Sequence, residues 1–221
     1  MKKTLLLMLL ILLSLSASTV FAQSENGAAS DQASADELAR SATGVVRPTP
    51  PAHPGAVSLV PPPAAGDPLP GPKRDPPAGK SAEFFAKYGS LFGITDPLNE
   101  LVMAETRTDK YGSTHLTYQQ VFQGVEVFGG QLKTHVSAEM KLTAVNGVFV
   151  PSVQINTTPR LSAEKAATRA VQAVRQQLGS AAEGATAVAN RMLVFRSGLV
   201  QGVSGTDHLV YEVEVANSAV T

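Results

Sequence analysis

The chain has 221 residues, 18 Lys plus Arg against 18 Asp plus Glu, and no cysteine. Balanced charge gives no electrostatic reason for a nucleic-acid or anionic-membrane partner, and the missing thiols exclude both a disulfide scaffold and thiol catalysis. A chain of this length holds one or two small domains once non-globular segments are set aside.

Two such segments come first. Residues 1–22 begin with Lys2 and Lys3, continue as an apolar run from Leu5 to Leu15, and end in Val20-Phe21-Ala22. That is the pattern of a secretory signal peptide cut after Ala22, with an apolar core shorter than the roughly 20 residues of a membrane span. A secreted product with no membrane attachment after cleavage is expected, with 16 basic residues left against 18 acidic ones. Residues 23–79 are rich in Ala, Ser and Gly and then in proline, as in "VRPTPPAHPGAVSLVPPPAAGDPLPGPKRDPPAG". Proline removes backbone donors and favours extended polyproline II, so this stretch is expected to be a disordered tether.

The globular part starts near residue 80. Phe84, Phe85, Tyr88, Leu91 and Phe92 recur at helical spacing, which predicts a helix over 82–92 with Ser81 as its cap and Gly93 at its end. "LVMAETRT", "STHLTYQQVF", "VEVF", "GQLKTHVSA" and "KLTAVNGVFV" then read as strands, with "DKYG", "QG", "GG", "AEM" and "NG" as turns. In the second strand Leu116, Tyr118 and Phe122 share one face, and His115, Thr117 and Gln119 the other, which predicts an antiparallel sheet covered on one side. Beyond Pro159, Ser162 caps a second helix whose stripe is Ala163, Ala166, Ala167, Ala170, Val171, Val174 and Leu178, with Gly179 after its last turn. "ANRMLVFRSG" and "DHLVYEVEVANS" follow as two more strands. The fold class is α+β. A helix on two strands is a meagre core, so this last domain is expected to be cut short.

Chemistry-bearing constellations are sparse. The histidines are His53, His115, His135 and His208, with no His-Glu-x-x-His, and only His115 and His135 fall where adjacent strands could bring them together. No third ligand is visible for them. There is no Gly-x-Ser-x-Gly, Gly129-Gly130 lacks the Lys-Ser/Thr of a phosphate loop, and Glu126, Glu139, Glu212 and Glu214 lie on different elements. No catalytic, cofactor-binding or metal residue is therefore assigned.

The block "DKYGSTHLTYQQVFQGVEVFGGQLKTHVSAEMKLTAVNGVFVP" resembles the fungalysin/thermolysin propeptide domain. The elements that carry the resemblance are Gly112 with His115, Gln119-Gln120, Gly124 with Val127-Phe128-Gly129-Gly130, His135, and Gly147 with Val148. Residues 159–221 are similar to a PepSY segment, giving a propeptide-like domain over 80–158 and an incomplete PepSY-like domain after it. The resemblance implies the pro-region of a secreted thermolysin-like zinc metalloprotease, a folding assistant and non-covalent inhibitor whose partner is the protease domain, in the same precursor or in trans. It implies zinc, and calcium beside it, for that protease domain and none for this chain. Family-motif residues with a protease-docking role would be His115, Gln119, Gln120, Gly124, Val127, Phe128, Gly129, Gly130, His135 and Gly147. The alternative is a free-standing secreted inhibitor or envelope binding module, and beyond it a hydrolase built from the dispersed acids or the His115/His135 pair.

Overall fold

Aromatic residues on one side of a short helix organise the first half of the chain. A computed structural model describes residues 77–217, the backbone of Ala56–Leu59, and Asp36; the expected signal peptide and most of the expected tether lie outside the described residues. Two units are present, one running up to Val153 and including Arg196–Thr206, the other comprising Gln154–Phe195 and the residues from Asp207 on.

In the first unit, helix α1 spans Pro77–Tyr88 and a 3-10 turn continues it over Gly89–Phe92. The helix starts before Ser81, so Ser81 is not its cap. Proline suits a first helical position, where its fixed φ is helical and its missing N–H would have no partner. Ser81 lies one turn in, fully buried, where its hydroxyl donates to the Pro77 carbonyl (3.0 Å) and shares a hydrogen bond with Thr134 (2.7 Å), tying helix to sheet. Gly93 ends the segment at φ +79°, its N–H bonding the Ser90 carbonyl. A Cβ there would sit 2.6 Å from Pro151 Cβ.

The sheet of this unit contains β1 (Ala56–Leu59), β2 (Leu101–Thr108), β3 (Thr114–Phe122), β4 (Val125–Val136) and β5 (Leu142–Val148), antiparallel in the order β1-β5-β4-β3-β2. β1 falls within the stretch expected to be a structureless tether. It occupies a proline-free run between Pro54 and Pro61, where no backbone donor is missing, and pairs Ala56 with Val148 through Leu59 with Val145. Leu116, Tyr118, Leu132, Val136 and Val145 face Phe84, Phe85, Tyr88, Phe92 and Ile94 in one core, with Phe85 and Tyr118 edge-to-face at 5.4 Å. Each buried aromatic or aliphatic side chain contributes about 1.5–3 kcal/mol, so this aromatic-rich side alone accounts for the helix docking on the sheet.

Two expected turns are absent. Gly129-Gly130 does not separate two strands, since β4 runs through it, and Asn146-Gly147 lies inside β5, paired with Lys133 and Leu132. The physical reason for each lies in the site below.

In the second unit, α2 (Ala163–Leu178) begins at Ser162, whose hydroxyl accepts from the Lys165 N–H at 3.4 Å, and ends at Gly179. Its inner face is Ala166, Ala170 and Val174, packed with Ala182, Ala185, Val213 and Val215. Leu178, expected in that stripe, is 37% exposed and outside the buried face. Strands β6 (Ala185–Arg196) and β7 (Asp207–Asn217) pair with each other.

Candidate functional site

The glycine-punctuated hairpin of β3 and β4 gathers most of the motif residues. Its turn, Phe122-Gln123-Gly124-Val125, has positive φ at both central positions, 50° at Gln123 and 80° at Gly124. That is the pattern of a type I′ turn, whose twist matches the flanking strands. Nothing lies within 4 Å of a Cβ added at Gly124, so this glycine answers to conformation alone.

Past the turn the register jumps. Val121 opposes Glu126, but Gln119 opposes Gln131, so Val127 to Gly130 bulge opposite the single residue Gln120. The two glutamines hold this bulge together. Gln119 donates its side-chain amide to the carbonyls of Val127 (2.9 Å) and Gly130 (2.9 Å). Gln120, almost fully buried, donates to the Val150 carbonyl and accepts from the Val150 N–H, both at 2.8 Å. A side-chain amide thus replaces a strand neighbour and satisfies buried backbone groups that would otherwise be orphaned. The glycines make room for it: a Cβ on Gly130 would meet Gln120 Oε1 at 2.6 Å, and Gly129 has φ +72°. This is why the Gly-Gly pair forms a bulge and not a turn. Val127 is fully buried and Phe128 half-buried.

Gly147 answers to close approach. Opposite Leu132 at φ +138°, an added Cβ would come within 2.1 Å of the Gln131 carbonyl oxygen. Only glycine lets β5 lie this near β4.

At the other end of the hairpin His115 and His135 are directly opposed, with ring centroids 4.9 Å apart and Nδ1 to Nδ1 at 2.6 Å. His115 Nε2 lies 3.2 Å from Asp109 Oδ2, and Asn146 Nδ2 lies 3.3 Å from His135 Nε2. A carboxylate only accepts, so His115 Nε2 carries the proton given to Asp109. When both rings are neutral its Nδ1 accepts from His135 Nδ1–H, leaving His135 Nε2 to accept from Asn146. In that state the four side chains form one donor-to-acceptor line. Burial lowers the His135 pKa, and Lys133, or a proton on His115, acts in the same direction, while the hydrogen bond with Asn146 opposes them. For Asp109 burial acts to raise the pKa, but hydrogen bonds from the Tyr111 N–H, His115 and the Ser113 N–H outweigh it and lower the carboxyl below its ordinary range.

Asp109 and Asn146 were not singled out from the sequence. The signal that could have found Asp109 is its place at the head of the "DKYG" turn, where it accepts from the N–H groups of Tyr111 (2.8 Å) and Ser113 (3.0 Å). Glu126, Glu139, Glu212 and Glu214 are not brought together with the histidines, and Glu212 contacts Arg191. Among the described residues no group of three or more His, Cys, Asp or Glu is arranged to hold a metal ion, and no helix is long and apolar enough to cross a membrane.

Residues 99–149, which contain β2 to β5 entire, match the family described as the Fungalysin/Thermolysin Propeptide Motif. The chain is also similar to bacillolysin of Brevibacillus brevis, at 27% identity over 102 residues. That alignment takes in 43% of this chain and spans 19% of the length of bacillolysin. The β2–β5 sheet, with its amide-held bulge and histidine pair, is the part of this chain that matches the Fungalysin/Thermolysin Propeptide Motif.

Proposed function

We propose that this chain is the pro-region of a secreted thermolysin-like zinc metalloendopeptidase, assisting the folding of the protease domain and inhibiting it non-covalently until it is cleaved away. The observation that carries the reading is the match of residues 99–149 to the propeptide motif, with the similarity to bacillolysin in support. Export by a signal peptide at residues 1–22, a PepSY-like identity for residues 159–221, and zinc and calcium in the protease domain belong to the same proposal.

The physics of such a role is mass action. A surface that binds the native protease and not its unfolded chain shifts the folding equilibrium, and a covalent tether raises the effective concentration of that surface. Strand β2 supports a docking role: it is exposed along nearly its whole length, with Val102 and Met103 about half exposed, and among the described residues no strand pairs with its outer edge. An extended segment added there would complete the backbone ladder. Val127 and Gln120 are buried and would act by shaping the sheet, while the specific interface would bury about 1,200–2,000 Å² in total.

The test is refolding of the denatured protease domain of Brevibacillus brevis bacillolysin, with and without the purified chain. Recovery of active protease that rises with chain concentration up to equimolar is the expected result. Recovery unchanged by a folded chain would overturn the folding role.

A further inference from the structure

The Asp109–His115–His135–Asn146 line has one property that neither the fold nor the proposed docking uses: its closed form has room for one proton between the two Nδ1 atoms. We propose that these four side chains form a proton-operated clasp at the open end of the β3–β4 hairpin, closed while both imidazoles are neutral and forced open when both are protonated.

The geometry dictates the switch. Between the two Nδ1 atoms, 2.6 Å apart, there is room for one proton, given by His135 and accepted by His115. In the doubly protonated pair each Nδ1 is a donor, so the contact changes from a hydrogen bond to a repulsion between two positive rings. Lys133 opposes charge on His135. On β2, Arg107 is paired with His115 in register, with Glu105 further along the strand; on β4, Lys133 lies two residues from His135. The turn joining β4 and β5 carries Glu139 and Lys141, and β5 itself offers His135 only the neutral Ala144 and Asn146. Asp109 Oδ2 faces His115 Nε2 at 3.2 Å.

The position gives the clasp leverage. The two rings are 20 residues apart in sequence and sit at the end of the hairpin opposite the Gln123-Gly124 turn. Through Asp109 and Asn146 they also bind the β2–β3 turn and β5, so the line spans the middle of the sheet. His135 in the folded state takes a proton less readily than an ordinary imidazole of pKa 6.5. The stability due to the clasp is thus fully present above about pH 6.5 and is lost as pH falls below it, because the unfolded chain takes up protons first. Asp109, with its pKa lowered, stays a carboxylate through this window. Resting on the pro-region reading, the same opening would loosen the grip on the protease in mildly acid surroundings.

The experiment needs no protease, so its outcome is independent of that reading. In the full chain, imidazole nitrogens are followed by NMR between pH 8 and pH 4.5, and urea unfolding is measured at pH 7.5 and pH 5. Expected are two separated protonation steps shared by His115 and His135, with the second step displacing the Asp109 and Asn146 amide signals. Between the two pH values the folding equilibrium constant of the native chain is expected to fall about tenfold more than that of the His115→Gln/His135→Gln variant, the scale of one charge-linked hydrogen bond. Should the variant not fold, the native titration decides alone. Independent one-step titrations of both rings with undisturbed sheet amides, or a variant with the full acid sensitivity of the native chain, would overturn the clasp.

Discussion

At Gln120 one side chain supplies both the donor and the acceptor that a neighbouring strand would give Val150. Gln120→Ala leaves a buried N–H and a buried C=O without partners, and each costs about 1–3 kcal/mol. We expect a loss of about 2–4 kcal/mol in urea unfolding of the full chain, whereas a loss under about 0.5 kcal/mol would show that Val150 finds other partners. The residue type was readable in advance as part of a Gln-Gly-rich block, but its partner was not. Val150 lies 30 residues away, and no local spacing rule links a glutamine to a distant backbone amide. The histidines show the same division. His115 and His135 are the pair that adjacent strands could bring together, and they face each other. Asp109 and Asn146 complete the line from a turn and from β5, where register and side-chain reach decide, and both of those are properties of the folded sheet.

Among the elements, glycine means different things in one hairpin. At Gly124 only the dihedral is demanding, so Gly124→Ala is expected to cost about 1–2 kcal/mol, the scale of placing a residue with a Cβ in the left-handed region. At Gly147 the new Cβ would collide with the Gln131 carbonyl at 2.1 Å, so β5 must leave β4. Gly147→Ala is expected to lose more than about 3 kcal/mol and to expose the Leu132 and Val145 side of the core; equal effects of the two substitutions, measured by thermal unfolding and amide exchange, would contradict this division. The same distinction explains what was legible. "QG" reads as a turn and is one; "GG" and "NG" carry the same turn chemistry but are overruled by the Gln119 amide and by the approach of β4 to β5. Helix α2 starts where Ser162 signals it, because nothing upstream competes. Helix α1 starts ahead of Ser81, because Pro77 is acceptable at a first helical turn and the Ser81 hydroxyl is engaged by Thr134 across the core.

For the whole molecule, composition and periodicity lead as far as an α+β chain with a one-sided antiparallel sheet, and the proposed role rests on the resemblance of one block. That block is now a definite object: four strands, an amide-held bulge and a histidine line, within residues that match a propeptide motif. The most direct measurement is a titration of the folded full chain into mature Brevibacillus brevis bacillolysin at pH 7.5, following hydrolysis of a peptide substrate. A pro-region should abolish activity at equimolar chain with Kd on the order of nanomolar, about −12 kcal/mol, without itself being a substrate that is rapidly consumed. Full protease activity in the presence of micromolar folded chain would contradict the account.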